Sequence, residues 1–145
     1  MIARDALIER LLTGTAVAAL VADRIYPHWA PQGITPGQAY LVVLQISAVR
    51  THHTLGASGL VEARVQVDVF AGSLRAADEL AKAVRQRLDG YRGPITVGTG
   101  GTAETLTLQQ CHLDNEVPDI ESWDPYAEAP AWSRVTQDYL IAHAE

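Results

Sequence analysis

Two adjacent histidines, His52 and His53, are the residues of this chain whose type best suits metal ligation or proton transfer. Successive side chains diverge, however, and no acid nearby is spaced to complete a tetrahedral set, so the pair reads as polar loop residues. His28, His112 and His143 stand far apart and have no partner at a recognisable spacing. A triad assembled from them with Ser58 or Cys111 would be arbitrary. "GTGG" at residues 98–101 resembles a phosphate-cradling turn but lacks the GK[ST] ending, and strand rather than helix follows it, which makes a hairpin turn the natural reading. The acids Asp119, Glu121, Asp124 and Glu128 are interrupted by prolines and do not follow the spacing of a calcium loop, so they read as a solvated or docking loop. Catalytic, cofactor and metal roles are therefore assigned to no residue.

The elements that would position such groups can be read from periodicity. Residues 3–22 have helical spacing, with Ile8, Leu11 and Leu12 on one side of the first half and Val17, Leu20 and Val21 in the second. Gly14, within "TGT" at 13–15, costs about 1 kcal/mol relative to alanine in a helix interior, so two short helices or one kinked helix are expected. Residues 23–40 hold three prolines and two glycines and read as an extended loop anchored by Ile25, Tyr26, Trp29 and Ile34. "AYLVVLQISAVR", residues 39–50, is a strand with apolar residues on both faces, which favours a central place in a sheet. A turn-rich loop, "THHTLGASG", is expected over residues 51–59.

The next strand carries the cleanest signal in the chain. Val61, Ala63, Val65, Val67 and Val69 alternate with Glu62, Arg64, Gln66, Asp68 and Phe70. Its four valines gain about 1.5–3 kcal/mol each on full burial, and a one-residue slip would drive three charges into the core, so the register is fixed. Ser73 offers an N-cap to a helix whose stripe is Leu74, Ala77, Leu80, Ala81, Val84 and Leu88, and Gly90 stands where a left-handed cap belongs. A hairpin over residues 93–117 follows, with a bulge expected because Leu106 and Leu108 are out of phase with Cys111 and Leu113. A proline-rich acidic loop over 118–131 and a last strand over 132–143 complete an α+β domain spanning 1–145, its mainly antiparallel sheet covered by helices on one side.

Composition narrows the function classes. A formal charge of −6, with every basic residue but Lys82 an arginine, argues against a nonspecific nucleic-acid clamp. No run approaches the 18 or more apolar residues of a membrane span, and the start has no secretory signal, so a cytoplasmic site of synthesis and no membrane partner are expected. The single cysteine, Cys111, excludes an intramolecular disulfide and reads as a small hydrophobe in a strand. Trp29, Trp123 and Trp132 sit in or beside the proline-rich loops, where an indole suits either a loop anchor or a protein interface.

"RIYP" at 24–27, "AYLVVLQIS" at 39–47, "HTLGASGLVEARVQVDVFA" at 53–71, "ADELAKAVRQRLDGYRG" at 77–93 and "SRVTQDYLI" at 133–141 together resemble, in order and spelling, the tail-terminator or tail-completion proteins of long-tailed bacteriophages and related gene transfer agents. The chain departs from that pattern at Ala142, where an aromatic is expected. The resemblance implies a non-enzymatic virion component of the tail, assembled in the bacterial host's cytoplasm. It implies a ring, a homohexamer in the lambda-type case, that caps the finished tail tube, stops its polymerisation and joins tail to head. The implied partners are further copies of the chain, the tail tube protein and a head-completion or neck protein, with DNA passing through the ring without specific binding. Two rivals are a neck connector of similar fold and a small cytoplasmic hydrolase built on His52, His53 and the acidic loop.

Within that reading, Glu62, Arg64, Gln66 and Asp68 carry both charge signs and are candidates for a subunit interface or for the lining of the ring's lumen. Trp29, His52, His53, Trp123 and Trp132 are the candidate docking residues. Charge reversal at Glu62 and Asp68 together is expected to impair assembly while leaving the monomer folded.

Overall fold

The computed structural model describes residues 2–31, 33–35, 37–122 and 132–144. Helices α1 (Ala3–Leu12) and α2 (Thr15–Val21) are followed by a short strand β1 (Ile25–Pro27) and two long ones, β2 (Tyr40–His53) and β3 (Gly56–Ala71). Helix α3 (Leu74–Leu88), strand β4 (Gly93–Val97), a single 3₁₀ turn (Gly100–Thr102), β5 (Glu104–Ser122) and β6 (Trp132–Ala144) complete the order. The strands form one sheet in the order β1-β2-β3-β6-β5-β4, with β1 parallel to β2 and the other neighbours antiparallel.

All three helices lie on the same face. The valines of β3 at 65, 67 and 69 are buried in one core with Ala77, Leu80, Ala81, Val84 and Leu88 of α3 and Leu7 and Leu11 of α1, while Val61 is buried outside that cluster. Ser73 caps α3 by accepting from the Ala76 N–H at 3.2 Å, and Gly90 takes φ +81 just past the helix end. The helix stripe differs from expectation at its ends. Leu74 is half exposed in the first turn of α3, and Ala83 is buried in its stead. In the first two helices Leu12 and Leu20 face outward, while Ala3, Ala6 and Leu7 supply the packed face.

The break at Gly14 follows from a close approach. Arg87 of α3 crosses there, and a Cβ on Gly14 would lie 3.0 Å from the arginine's Cδ. The C-terminal turns of α1 and α3 cap each other. Arg10 Nε donates to the Arg87 carbonyl at 3.0 Å, and Arg87 Nε donates to the Arg10 carbonyl at 2.8 Å. Carbonyls that a helix end leaves without partners are satisfied by cations on the favourable end of each dipole. The Arg10 guanidinium also rests 3.4 Å above the Tyr91 ring. Burial first, and the neighbouring Arg87 charge second, lower the Arg10 pKa.

Three expectations need correction. The segment 51–59 is paired strand rather than loop: His52 faces Ala57 and His53 faces Gly56, leaving Thr54 and Leu55 as the turn. Residues 118–122, expected to open a loop, are instead strand, because β5 runs on to Ser122; the rest of the expected loop, residues 123–131, lies outside the described residues. Pro118 is tolerated within the strand since β5 borders no further described strand at that height, so its missing N–H breaks no ladder bond. A short strand, β1, lies within the proline-rich stretch 23–40; at the sheet edge it fits the proline content. The expected bulge is present between Leu108 and Gln110, and it brings Leu106, Leu108 and Cys111 into one core.

Candidate functional site

The sheet face away from the helices is the surface with most chemistry on it, and sequence alternation put its central row there. Glu62, Arg64, Gln66, Asp68 and Phe70 alternate with the buried valines of β3, so each points to the open side. The neighbouring strands complete the rows: Asp68 lies beside Val42 and Thr136, and Arg64 beside Ser47 and Leu140.

The four predicted residues do not behave alike. Glu62 is exposed, whereas Asp68 retains 6% of its surface. Asp68 Oδ1 accepts from Gln66 Nε2 at 2.9 Å and from Thr136 Oγ1 at 2.9 Å, so the carboxylate is engaged within the chain. Arg64 reaches Asp114 at 3.2 Å and Asp138 at 3.8 Å. Charge reversal at Asp68 would therefore bury a lysine in a carboxylate's place and is no clean probe of assembly. Beyond Arg64 toward the β2–β3 turn, the face hollows into an open trough of about 340 Å³, floored by Leu140 and Ala142 and walled by Val49, Glu62 and His112.

At the other end of the face an aromatic cluster replaces charge. The Tyr40 ring stacks on Phe70 with centroids 4.6 Å apart and meets Trp132 edge-on at 5.2 Å and Tyr26 at 6.3 Å. Offset and edge contacts of this kind contribute about 0.5–1.5 kcal/mol beyond area burial. The sequence alone does not show the cluster, because Phe70 falls in a polar alternation and Trp132, at the start of the last strand beside a proline-rich loop, suits a loop anchor or a protein interface equally. Its signal is the recurrence of aromatics at the β2 start, the β3 end and the β6 start, which antiparallel pairing brings level.

The docking residues are equally varied. Trp29 is 77% exposed beside His28, so it anchors nothing within the described chain. Trp132 opens β6 half-buried on Tyr40. His52 and His53 are exposed on the arm that β2 and β3 extend past the end of β6, with Leu55 at its tip. Trp123, Asp124 and Glu128 lie outside the described residues, and Asp119 and Glu121 fall on the backbone of β5. Among the described residues no three His, Cys, Asp or Glu side chains converge as metal ligands. Cys111 is buried, and its thiol is pushed up to about 12, chiefly by burial and then by Asp89.

Opposite the trough, on the helix side, a polar network stitches the layers. Gln137, fully buried, donates to the Ala81 carbonyl of α3 at 3.0 Å and to Glu116 at 2.7 Å, and accepts from the Tyr139 hydroxyl at 3.0 Å. Arg85 clamps both oxygens of Glu116 at 2.8 and 2.7 Å. These bonds fix α3 across β5 and β6.

The fold is thus an α+β sheet with one helical layer, one open face that carries charge, and projecting strand ends. Residues 5–114 match the family described as tail completion protein gp17, and the chain belongs to it. It is a structural protein of a phage-type virion tail. Among solved structures, the chain is similar to one described as "Virion of native gene transfer agent (GTA) particle", with a TM-score of 0.70 and 16% identity over 99% of this chain and 95% of that one. At that identity the likeness establishes the fold. No curated protein matches the sequence.

Proposed function

We propose that this chain is the tail terminator: a single domain of residues 1–145 that assembles as a ring, a hexamer by the lambda-type precedent, at the head-proximal end of the tail tube. The ring ends tube polymerisation and offers its other side to a head-completion or neck protein, while DNA passes through without being gripped. The observation that carries the reading is the one-sidedness of the sheet in a member of the tail completion family. Its helix side is closed by a continuous core, and its opposite side carries, among the described residues, a polar region around Glu62, Arg64 and Gln66 and an aromatic cluster around Tyr40.

Of the two roles open to Glu62, Arg64, Gln66 and Asp68, lining the bore is the better supported. Asp68 and Arg64 have their bonds within the chain, so they gain little from a neighbour's charges. Glu62, Asp114 and Asp138 leave this part of the face with acid in excess of Arg64, and each copy carries a formal −6. A bore so lined repels a passing polyanion. Trp29, Trp123 and the arm with His52 and His53 are the points offered to tube or neck.

The test is deletion of the coding sequence followed by electron microscopy of the particles. Tails that overgrow to irregular length and carry no head are expected, with wild-type protein in trans restoring uniform length. Tails of normal length on filled but unjoined heads would place the protein in the neck instead.

A further inference from the structure

The edges of the sheet are stepped, and the steps match. On one side, β1 pairs only with Leu41–Val43 of β2, and the remainder of β2, Leu44 to His53, has no strand on its outer side among the described residues. On the other side, β4 pairs with Glu104–Leu108 of β5, and the α3–β4 corner satisfies the next positions: Gly90 N–H donates to the Cys111 carbonyl at 2.8 Å, and Leu113 N–H donates to the Asp89 carboxylate at 2.9 Å. From Asp114 to Ser122 the outer side of β5 has no described partner strand. The two stretches that border no described strand are of nearly equal length, ten and nine residues.

Side-chain exposure singles out the same stretches. Ile46 and Val49 on β2 are 52% and 58% exposed, and Val117 on β5 is 49% exposed. Among the described residues these are the large apolar side chains left open within strands away from the β2–β3 turn. An apolar strand edge with unpaired backbone groups is a template for another strand and is blunted or covered in native proteins. Neither stretch carries a lysine, although Pro118 interrupts the second.

We infer that the free edge of β2 in one copy pairs with the free edge of β5 in the next, so that the sheet continues from subunit to subunit. Three features of the chain fit a second copy to these edges. First, β2 and β5 run antiparallel within the sheet, so a neighbour in the same orientation presents the strand direction that each edge requires. The contact is heterologous, as a closed ring demands. Second, pairing Val49 with Val117 needs a slide, because Val117 stands in the row of Thr136, Asp68 and Val42. Seven positions with one bulge among them amount to roughly 20 Å at ~3.3 Å per residue. Third, that slide matches the two stretches end to end: the last residue of β2, His53, faces the neighbour's Leu113, where the caps of the α3–β4 corner begin, and β1 begins where β5 stops.

Four strands at ~4.8 Å spacing make each repeat roughly 19 Å wide, so the slide inclines the strands by about 45°, near the tilt at which sheets close into barrels. Bulges at Gln45/Ser47, Arg50/His52, Leu113/Asn115 and Ile120/Ser122 lie in or beside the free stretches and add the bending that closure uses. The arrangement rests on the ring reading above, and it assigns the open face to the inner wall.

Cysteine pairs test it. Ser47→Cys, Val49→Cys and Thr51→Cys are each combined with Val117→Cys in the full-length protein; the native Cys111 is buried and does not compete. After mild oxidation of concentrated protein, at least one double variant is expected to give a ladder of covalent oligomers on a denaturing non-reducing gel. Its two single variants, mixed, should give dimers only, and each single variant by itself should stay monomeric. Thermal unfolding within a few degrees of wild type confirms that the variants fold. Covalent dimers from a single variant by itself would show like edges pairing and overturn the inference. Rings seen by mass photometry without any ladder would overturn it and leave the ring reading standing; a monomer at every concentration, with no ladder, would count against both.

Discussion

Val65 and Gln66 adjoin on β3 and face different chemistries. Val65 is sealed under the helices, while Gln66 stands half-buried on the open side, bonded to Asp68. The helix side of the sheet obeys packing, since its residues are aliphatic and its polar groups are bonded into one network through Gln137. The open side obeys electrostatics and access. Its charges are partly neutralised within the chain, and its apolar groups are gathered around Tyr40, floor the trough at Leu140 and Ala142, or stand on strand edges. The proposed ring uses both: one face gives a subunit its shape, and the other is left for neighbours and for the path through them.

The comparison breaks most violently at Val65. Val65→Asp places a carboxylate in the aliphatic core with no described cation facing it, which costs several kcal/mol. Soluble protein should be lost or the cooperative thermal transition abolished. A second substitution on the same side is milder. Gln137→Leu keeps the volume but deprives the Tyr139 hydroxyl and the Ala81 carbonyl of their partners, for an expected loss of about 2–3 kcal/mol. The urea midpoint should fall with the slope unchanged. On the open side, Thr136→Val removes one of the two bonds to Asp68 and should lower the same midpoint by about 1–2 kcal/mol.

These differences also explain what could be read from the sequence. The kink at Gly14, the register of β3, the Ser73 cap and the β5 bulge were legible because each is written in adjacent residues as periodicity or capping chemistry. The burial of Asp68 was not, since its partner Thr136 lies 68 residues further along the chain, on a strand that only tertiary pairing brings beside β3. The β2–β3 arm was misread for another reason: its Gly, Ser and Thr residues look like loop, and pairing through the backbone leaves no hydrophobic trace. The docking residues illustrate the limit at side-chain level. Three tryptophans in similar surroundings gave one expectation, yet Trp29 is open and Trp132 packs on Tyr40.

Alkaline pH should separate the two sides without any mutation. Burial pushes the Cys111 thiol up to about 12 and raises the Tyr139 hydroxyl as well, so the folded state resists losing either proton. The unfolded chain binds fewer protons in that range. The stabilisation from Cys111 is therefore complete below the free thiol's pKa of about 8.5 and is lost as pH climbs toward 12. Thermal unfolding followed from pH 8 to pH 11 should show a falling midpoint, and Cys111→Ala should flatten the early part of the fall. An unchanged slope in that variant would remove the thiol from the account.

The smallest effect on stability should come with the largest effect on the potential of the open face, at Glu62. Its side chain is exposed at the trough, with no described partner whose loss would matter to the fold, so Glu62→Arg should shift the midpoint by less than about 0.5 kcal/mol. If the open face is the inner wall, this change leaves the subunit contacts intact and rings form at wild-type concentration. What alters is the potential along the bore. An added arginine per copy attracts DNA phosphates where the native face repels them, and the gain should weaken as salt rises. Rings of Glu62→Arg should therefore retain short duplex DNA at low ionic strength under conditions in which wild-type rings release it. Failure of the variant to form rings, with its stability unchanged, would move Glu62 from the wall to the seam between subunits.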